Sequence, residues 1–156
     1  MTVHIRPLTG EPAVIERLAD ILIATVAAGG SVSFLHPLPR ETAVAYWREA
    51  LADPGRVVLG GYVDQQLVGT VTLWLATPAN QPFRAEIWKL MTDPAARRRG
   101  VARALMVAAE QLAVERGRTL LTSTPRPITA PRRCTTRSAG PAPARSRALR
   151  TGRTAG

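Results

Sequence analysis

The sequence predicts a mixed α/β (α+β) domain over residues 1–122, in the order βααβββαβ, with a mostly antiparallel sheet flanked by helices. Three observations predict it. Apolar spacing changes from about 3.6 residues to 2 after Asp53-Pro54-Gly55. Two strand-like runs flank the turn pair Asp64-Gln65. Helical spacing then returns at Val101 and gives way to a last short strand, "TLLT".

"VHIRPL" (Val3 to Leu8) alternates briefly and reads as a strand ended by Pro7. Pro12 stands where a first helical turn tolerates proline, and Leu18, Ile21, Leu22 and Thr25 follow Val14 at helical spacing. Gly29-Gly30 ends that helix, "SVSFLHPLP" reads as a loop, and "RETAVAYWREALA" as a second helix. "RVVLGGYV" and "QLVGTVTLWLA" form an antiparallel hairpin, and "FRAEIWKLM" a third long strand closed by Asp93-Pro94. After "AARRRG", Val101, Ala104, Leu105, Ala108 and Leu112 share a helix face, with Gly117 placed to cap its C-terminus. "TLLT" is expected to run parallel to the preceding strand through a right-handed crossover.

The net charge of +10 first suggests a nucleic-acid partner, but its distribution argues against one. Residues 1–122 hold all 11 acids and 13 of the 21 basic residues, leaving +2; the other +8 lies in 123–156. Lys89 is the sole lysine against 20 arginines, a skew better explained by GC-rich codons than by phosphate binding. No apolar run reaches the roughly 20 residues of a membrane span. The N-terminus shows no signal-peptide pattern, and the single Cys134 excludes an internal disulfide. A cytoplasmic protein is expected, without membrane partners or a metal.

Chemistry concentrates in "KLMTDPAARRRGVARALM", residues 89–106. A strand ends, a turn follows, and a helix opens at Gly100 behind Arg97, Arg98 and Arg99. The first N–H groups of a helix lack internal partners, and the dipole makes that end electropositive. Three arginines there are disfavoured by roughly 0.3–1 kcal/mol each. A bound anion reverses the penalty. Gly100 and Ala102 stay small where a pyrophosphate approaches the backbone.

Arg97-Arg98-Arg99-Gly100-Val101-Ala102 resembles the Q/R-x-x-G-x-G/A acetyl-CoA signature of the GNAT N-acetyltransferases, with alanine at the last position. The likeness runs from "VHIRPL" to "TLLT". "ATVAAGGSVSFL" together with "RAEIWKLMTDPAARRRGVARALM" is similar to the tabtoxin-resistance type. The resemblance implies that the turn from Arg97 to Arg103 cradles the pyrophosphate of acetyl-CoA. Leu90, Met91 and Thr92 would pair by main chain with the pantetheine arm, and an N–H near Met91 would stabilise the oxyanion. Glu86 would act as general base for a small-molecule amine, directly or through water. The loop Gly29, Gly30, Ser31, Val32, Ser33 and Phe34 would line the acceptor pocket. His4 and His36 are read as structural or exposed rather than catalytic, and Trp47, Trp74 and Trp88 as core or pocket wall. A homodimer is compatible with the resemblance.

Residues 123–156 depart from this pattern, with eight arginines, five prolines and no acid. The aspartate-containing strand, the "LY" helix with its general-acid tyrosine and the final hairpin are missing, since Tyr46 and Tyr62 both lie upstream. A single-nucleotide loss before Ser123 accounts for this. Restoring the frame permits the hypothetical translation "LDTATDHRAETLYDALGW" for 123–140, which supplies the missing elements in order. The expectation is therefore an N-acetyltransferase domain, 1–122, with a non-native basic tail and a weak or dead activity. The alternative is an inactive acetyl-CoA-binding remnant or basic-tailed binding module.

Overall fold

The computed structural model describes residues 2–123 except Ser31 and Thr77. The strands are β1 (His4–Pro7), β2 (Arg56–Val63), β3 (Gln66–Trp74), β4 (Arg84–Thr92) and β5 (Leu120–Ser123). The helices are α1 (Pro12–Ala27), α2 (Arg40–Ala52) and α3 (Val101–Glu115), with a 3-10 turn at Pro94–Ala96. The order is the predicted one, and the strands form one sheet, β1-β2-β3-β4-β5. The first three pairings are antiparallel, and β4 with β5 is parallel, as the crossover through α3 requires.

Strand alternation sorts the core onto two faces. Val58, Tyr62, Leu67 and Met91 meet α1 and α2 through Leu18, Leu22 and Trp47. Leu59, Val63, Val71, Leu73, Ala85 and Ile87 meet α3 through Val101, Leu105 and Ala109. Each fully buried leucine of this kind contributes roughly 1.5–3 kcal/mol relative to an exposed one.

The face of α3 differs from expectation by a small rotation. Val101 and Leu105 are buried as predicted, but Ala109 and Ala113 complete the stripe, while Ala104, Ala108 and Leu112 sit at its margin. The reason is the paired glycines Gly61 and Gly69 beneath it. A Cβ on Gly69 would stand 2.8 Å from Val101 Cγ1, so the start of α3 rests against bare backbone. The hairpin strand is also shorter than expected, because Leu75 leaves the ladder to donate to the Gly55 carbonyl at 2.8 Å.

Two bulges matter for the site. Opposite Gly61 and Tyr62, β3 carries Val68 as an extra residue. Between the pairs Thr70↔Met91 and Thr72↔Trp88, β4 carries one residue too many, and Lys89 there adopts φ +52°.

Candidate active site

At the C-terminal end of β4 the exposed basic turn meets a strand edge that has no partner among the described residues, while the face carrying Arg84 and Glu86 lies at the start of the same strand. The turn is anchored by Asp93. Its carboxylate accepts from the Ala95 N–H at 3.0 Å and pairs with Arg17 of α1 at 2.6 Å. The Arg17 Nε–H also donates to the Leu67 carbonyl at 2.9 Å, tying α1, β3 and the turn together. Burial alone would raise the Asp93 pKa, but the Ala95 N–H and the Arg17 guanidinium outweigh it and hold the carboxyl below its ordinary range.

Beyond that anchor Arg97, Arg98 and Arg99 are exposed, Arg98 has φ +63°, and Gly100 enters α3 with φ +75°. The first helical bond is Ala104 N–H to the Gly100 carbonyl, at 3.0 Å. The N–H groups of Val101, Ala102 and Arg103 therefore have no helical acceptor, and Gly100 has no side chain to cap them. Nothing lies within 4 Å of where a Gly100 Cβ would stand. Open space, unpaired N–H groups and three cations make a surface that suits a diphosphate.

The adjoining edge of β4 suits an extended chain carrying amides. Among the described residues β4 and β5 pair from Arg84↔Leu120 to Ile87↔Ser123 and no further. From Trp88 to Thr92 the β5-facing edge has no strand partner among those residues. Leu90 is exposed there and Met91 buried, with Thr92 between them in accessibility. The donor set thus fits acetyl-CoA: N–H groups and arginines for the pyrophosphate, main-chain groups for the arm.

The other face of β4 forms a wall. Arg84, Glu86 and Trp88, two residues apart, point the same way. Glu86 accepts from Arg84 at 2.5 Å on Oε1 and from the Trp88 indole at 2.9 Å on Oε2. Its side chain is 13% exposed, and each oxygen keeps a lone pair for a further donor. Trp74 stacks on Trp88 with ring centroids 4.9 Å apart, and Arg56 lies 5.5 Å over the Trp88 ring. The side-chain hydrogen bonds of Glu86 among the described residues go to Arg84 and Trp88.

That loop is bridged to β4 by a residue absent from the expected site. Lys89 donates from Nζ to the Val32 carbonyl and lies 5.2 and 5.3 Å from the ring centroids of Phe34 and Tyr46. Phe34 meets Tyr46 edge-on at 5.4 Å. Alternation would have sent Lys89 to the α3 face; the bulge returns it to this one. The Tyr46 hydroxyl is buried without a hydrogen-bond partner among the described residues, and burial raises its pKa. Gly29 and Gly30 turn the chain out of α1, while Ser31 lies outside the described residues, as does the whole stretch from 124 on which the frame reading rests.

A separate open groove of about 590 Å³ runs between β1 and the outer side of α3, lined by Ile5, Arg6, Val107 and Gln111, and it reaches Gly100 and Arg103 at one end. Glu86, Lys89, Val32 and Phe34 do not line it. Among the described residues no helix is long and apolar enough to cross a membrane.

Comparison with known proteins bears on the family and the fold. The model of the acetyltransferase (GNAT) family matches residues 24–127. An uncharacterized N-acetyltransferase encoded in the hisH-hisA intergenic region of Azospirillum brasilense is 32% identical over 96 residues, covering 60% of this chain and 57% of the relative. The match thus spans little more than half of that relative's length. Among solved structures, a protein described as a transcriptional regulator from Bacillus halodurans C-125 superposes with TM-score 0.64 at 25% identity, covering 81% of this chain and 83% of the other. An aminoglycoside acetyltransferase from an uncultured soil metagenomic sample gives TM-score 0.62 at 23% identity, with 83% of each chain covered; at that identity the likeness is one of fold.

Proposed function

The chain belongs to the acetyltransferase (GNAT) family, and from that premise we propose that it transfers the acetyl group of acetyl-CoA to an amine of a small molecule, a toxin or antibiotic of the tabtoxin or aminoglycoside kind. The observation that carries this reading is the uncapped, glycine-opened start of α3 beside an edge of β4 that has no strand partner among the described residues. Arg97, Arg98, Arg99 and the N–H groups of Gly100 to Arg103 hold the pyrophosphate. Leu90, Met91 and Thr92 orient the arm through their main chain. Acetyl-CoA supplies an activated thioester when bound.

The acceptor amine is met by Glu86, whose oxygens are fixed by Arg84 and Trp88. Glu86 takes the amine's proton, directly or through a water, before transfer. Trp88 beside it already meets the cation Arg56, and Phe34 and Tyr46 near the loop meet Lys89, an aromatic setting suited to positive charge. The loop from Gly29 to Phe34, in which Val32 and Phe34 meet Lys89, is proposed to line the acceptor pocket. Ser123 closes β5, and the stretch from there to 156 is read as a displaced-frame replacement for the elements that follow "TLLT"; sequencing the locus tests this, and an intact reading frame through "STPRPITAPRRC" in every isolate refutes it.

The activity is tested on the full chain by thermal shift with acetyl-CoA and by thiol release with aminoglycosides, polyamines and amino acids. Stabilisation with acceptor-dependent release supports the enzyme. Stabilisation without release from any amine supports the non-catalytic binding module instead, and no stabilisation refutes both.

A further inference from the structure

We propose that Lys89 is itself an acetyl acceptor, its ε-amine taking the acetyl group from acetyl-CoA bound to the same chain. The inference rests on the reading of β4 and the α3 turn as the acetyl-CoA site. With the pyrophosphate at Arg97–Arg103, an arm held by the main chain of Thr92, Met91 and Leu90 would bring its thioester end toward position 89. The β4 bulge, with Lys89 at φ +52°, turns this side chain onto the acceptor face. Its Nζ then lies on the Val32 carbonyl and near the rings of Phe34 and Tyr46, beside the loop proposed to line the acceptor pocket.

Two further properties suit the amine to attack. Lys89 forms no ion pair with a carboxylate among the described residues. Burial first, and the Arg56 guanidinium second, lower its pKa, which raises the share of neutral amine at a given pH. In the step, the neutral nitrogen attacks the thioester carbonyl carbon, a C–N bond forms and the C–S bond breaks. The nitrogen's proton passes to the departing sulfur, leaving acetyl-lysine and free CoA. Acetylation removes the charge that Lys89 places among the aromatic rings.

Lys89 is the sole lysine, so the product is unambiguous apart from the N-terminal amine. The full chain is incubated with acetyl-CoA near neutral pH, followed by intact mass and peptide mapping, with thermal shift in parallel. The expected result is stabilisation by acetyl-CoA and one added acetyl, about 42 Da, on the Lys89 peptide. It forms at a rate independent of chain concentration and at least about tenfold faster than at the N-terminal amine, which is intrinsically the less basic group. Lys89→Arg abolishes the adduct and keeps the thermal shift. Stabilisation with acetyl only on the N-terminus, or nowhere, overturns the inference and leaves the acetyl-CoA site standing. Equal labelling of Lys89 in the denatured chain overturns it too, by showing ordinary chemical acetylation. Neither stabilisation nor adduct refutes the site and the inference together.

Discussion

Gly100→Ala and Gly117→Ala form a matched pair at the two ends of α3. Gly100 has φ +75° and Gly117 φ +71°, and neither would place a Cβ within 4 Å of another atom. Alanine at either position carries the left-handed backbone penalty of about 1–2 kcal/mol and no clash. Melting should therefore fall by a similar amount in both, about 3–8 °C for a unit of this size. Affinity for acetyl-CoA should separate them. The Gly100 methyl enters the space beside the N–H groups of Val101, Ala102 and Arg103, where losing one charge-assisted hydrogen bond costs about 1.5–3 kcal/mol. That corresponds to a Kd roughly 10–150 times weaker for Gly100→Ala. Gly117→Ala, at the far end of the helix, should bind as the parent does. Titration calorimetry gives Kd and thermal melts give stability. Equal Kd changes in the two variants, or none in Gly100→Ala despite its lower melting point, would refute the assignment of this turn to the anion.

Other perturbations test the anchor, the acceptor side and the core. Asp93→Asn should cost about 1–2 kcal/mol, by weakening a cap and removing an ion pair to the half-exposed Arg17. Because the folded Asp93 pKa is lowered, its stabilisation is present above the unfolded value, near about 3.9, and is lost as pH falls through the folded one. Parent and variant melting curves should thus converge in acid; a constant gap from pH 7 to below the folded value would contradict the linkage. Glu86→Gln should lower kcat by roughly 10²–10⁴ with acetyl-CoA affinity unchanged, as steady-state kinetics beside calorimetry will show. Leu105→Ala, at a site with no exposure, should destabilise by about 2–5 kcal/mol in denaturant unfolding.

The element order and the glycine-opened basic turn were legible because both rest on local signals: hydrophobic period, turn residues and a glycine behind three arginines. The acceptor side was less legible, since it depends on a register shift. Simple alternation puts Lys89 opposite Glu86 and Trp88, whereas the bulge joins them on one face. No local preference announces that bulge, because Lys89 is an ordinary strand residue with φ +52° imposed by the ladders on either side. The rotation of α3 was hidden for a similar reason. Gly61 and Gly69 are eight residues apart in sequence, and only their pairing makes the bare patch on which Val101 rests. The tie from Arg17 to Asp93 spans 76 residues and leaves no trace in either local pattern.

The central assignment is tested most directly by backbone amide shifts of the nitrogen-labelled chain, recorded with and without acetyl-CoA. The predicted result is the largest perturbation at the amides of Leu90, Met91 and Thr92 and of Arg98 to Arg103. Shifts centred instead on Ile5, Arg6, Val107 and Gln111, in the groove between β1 and α3, would contradict it.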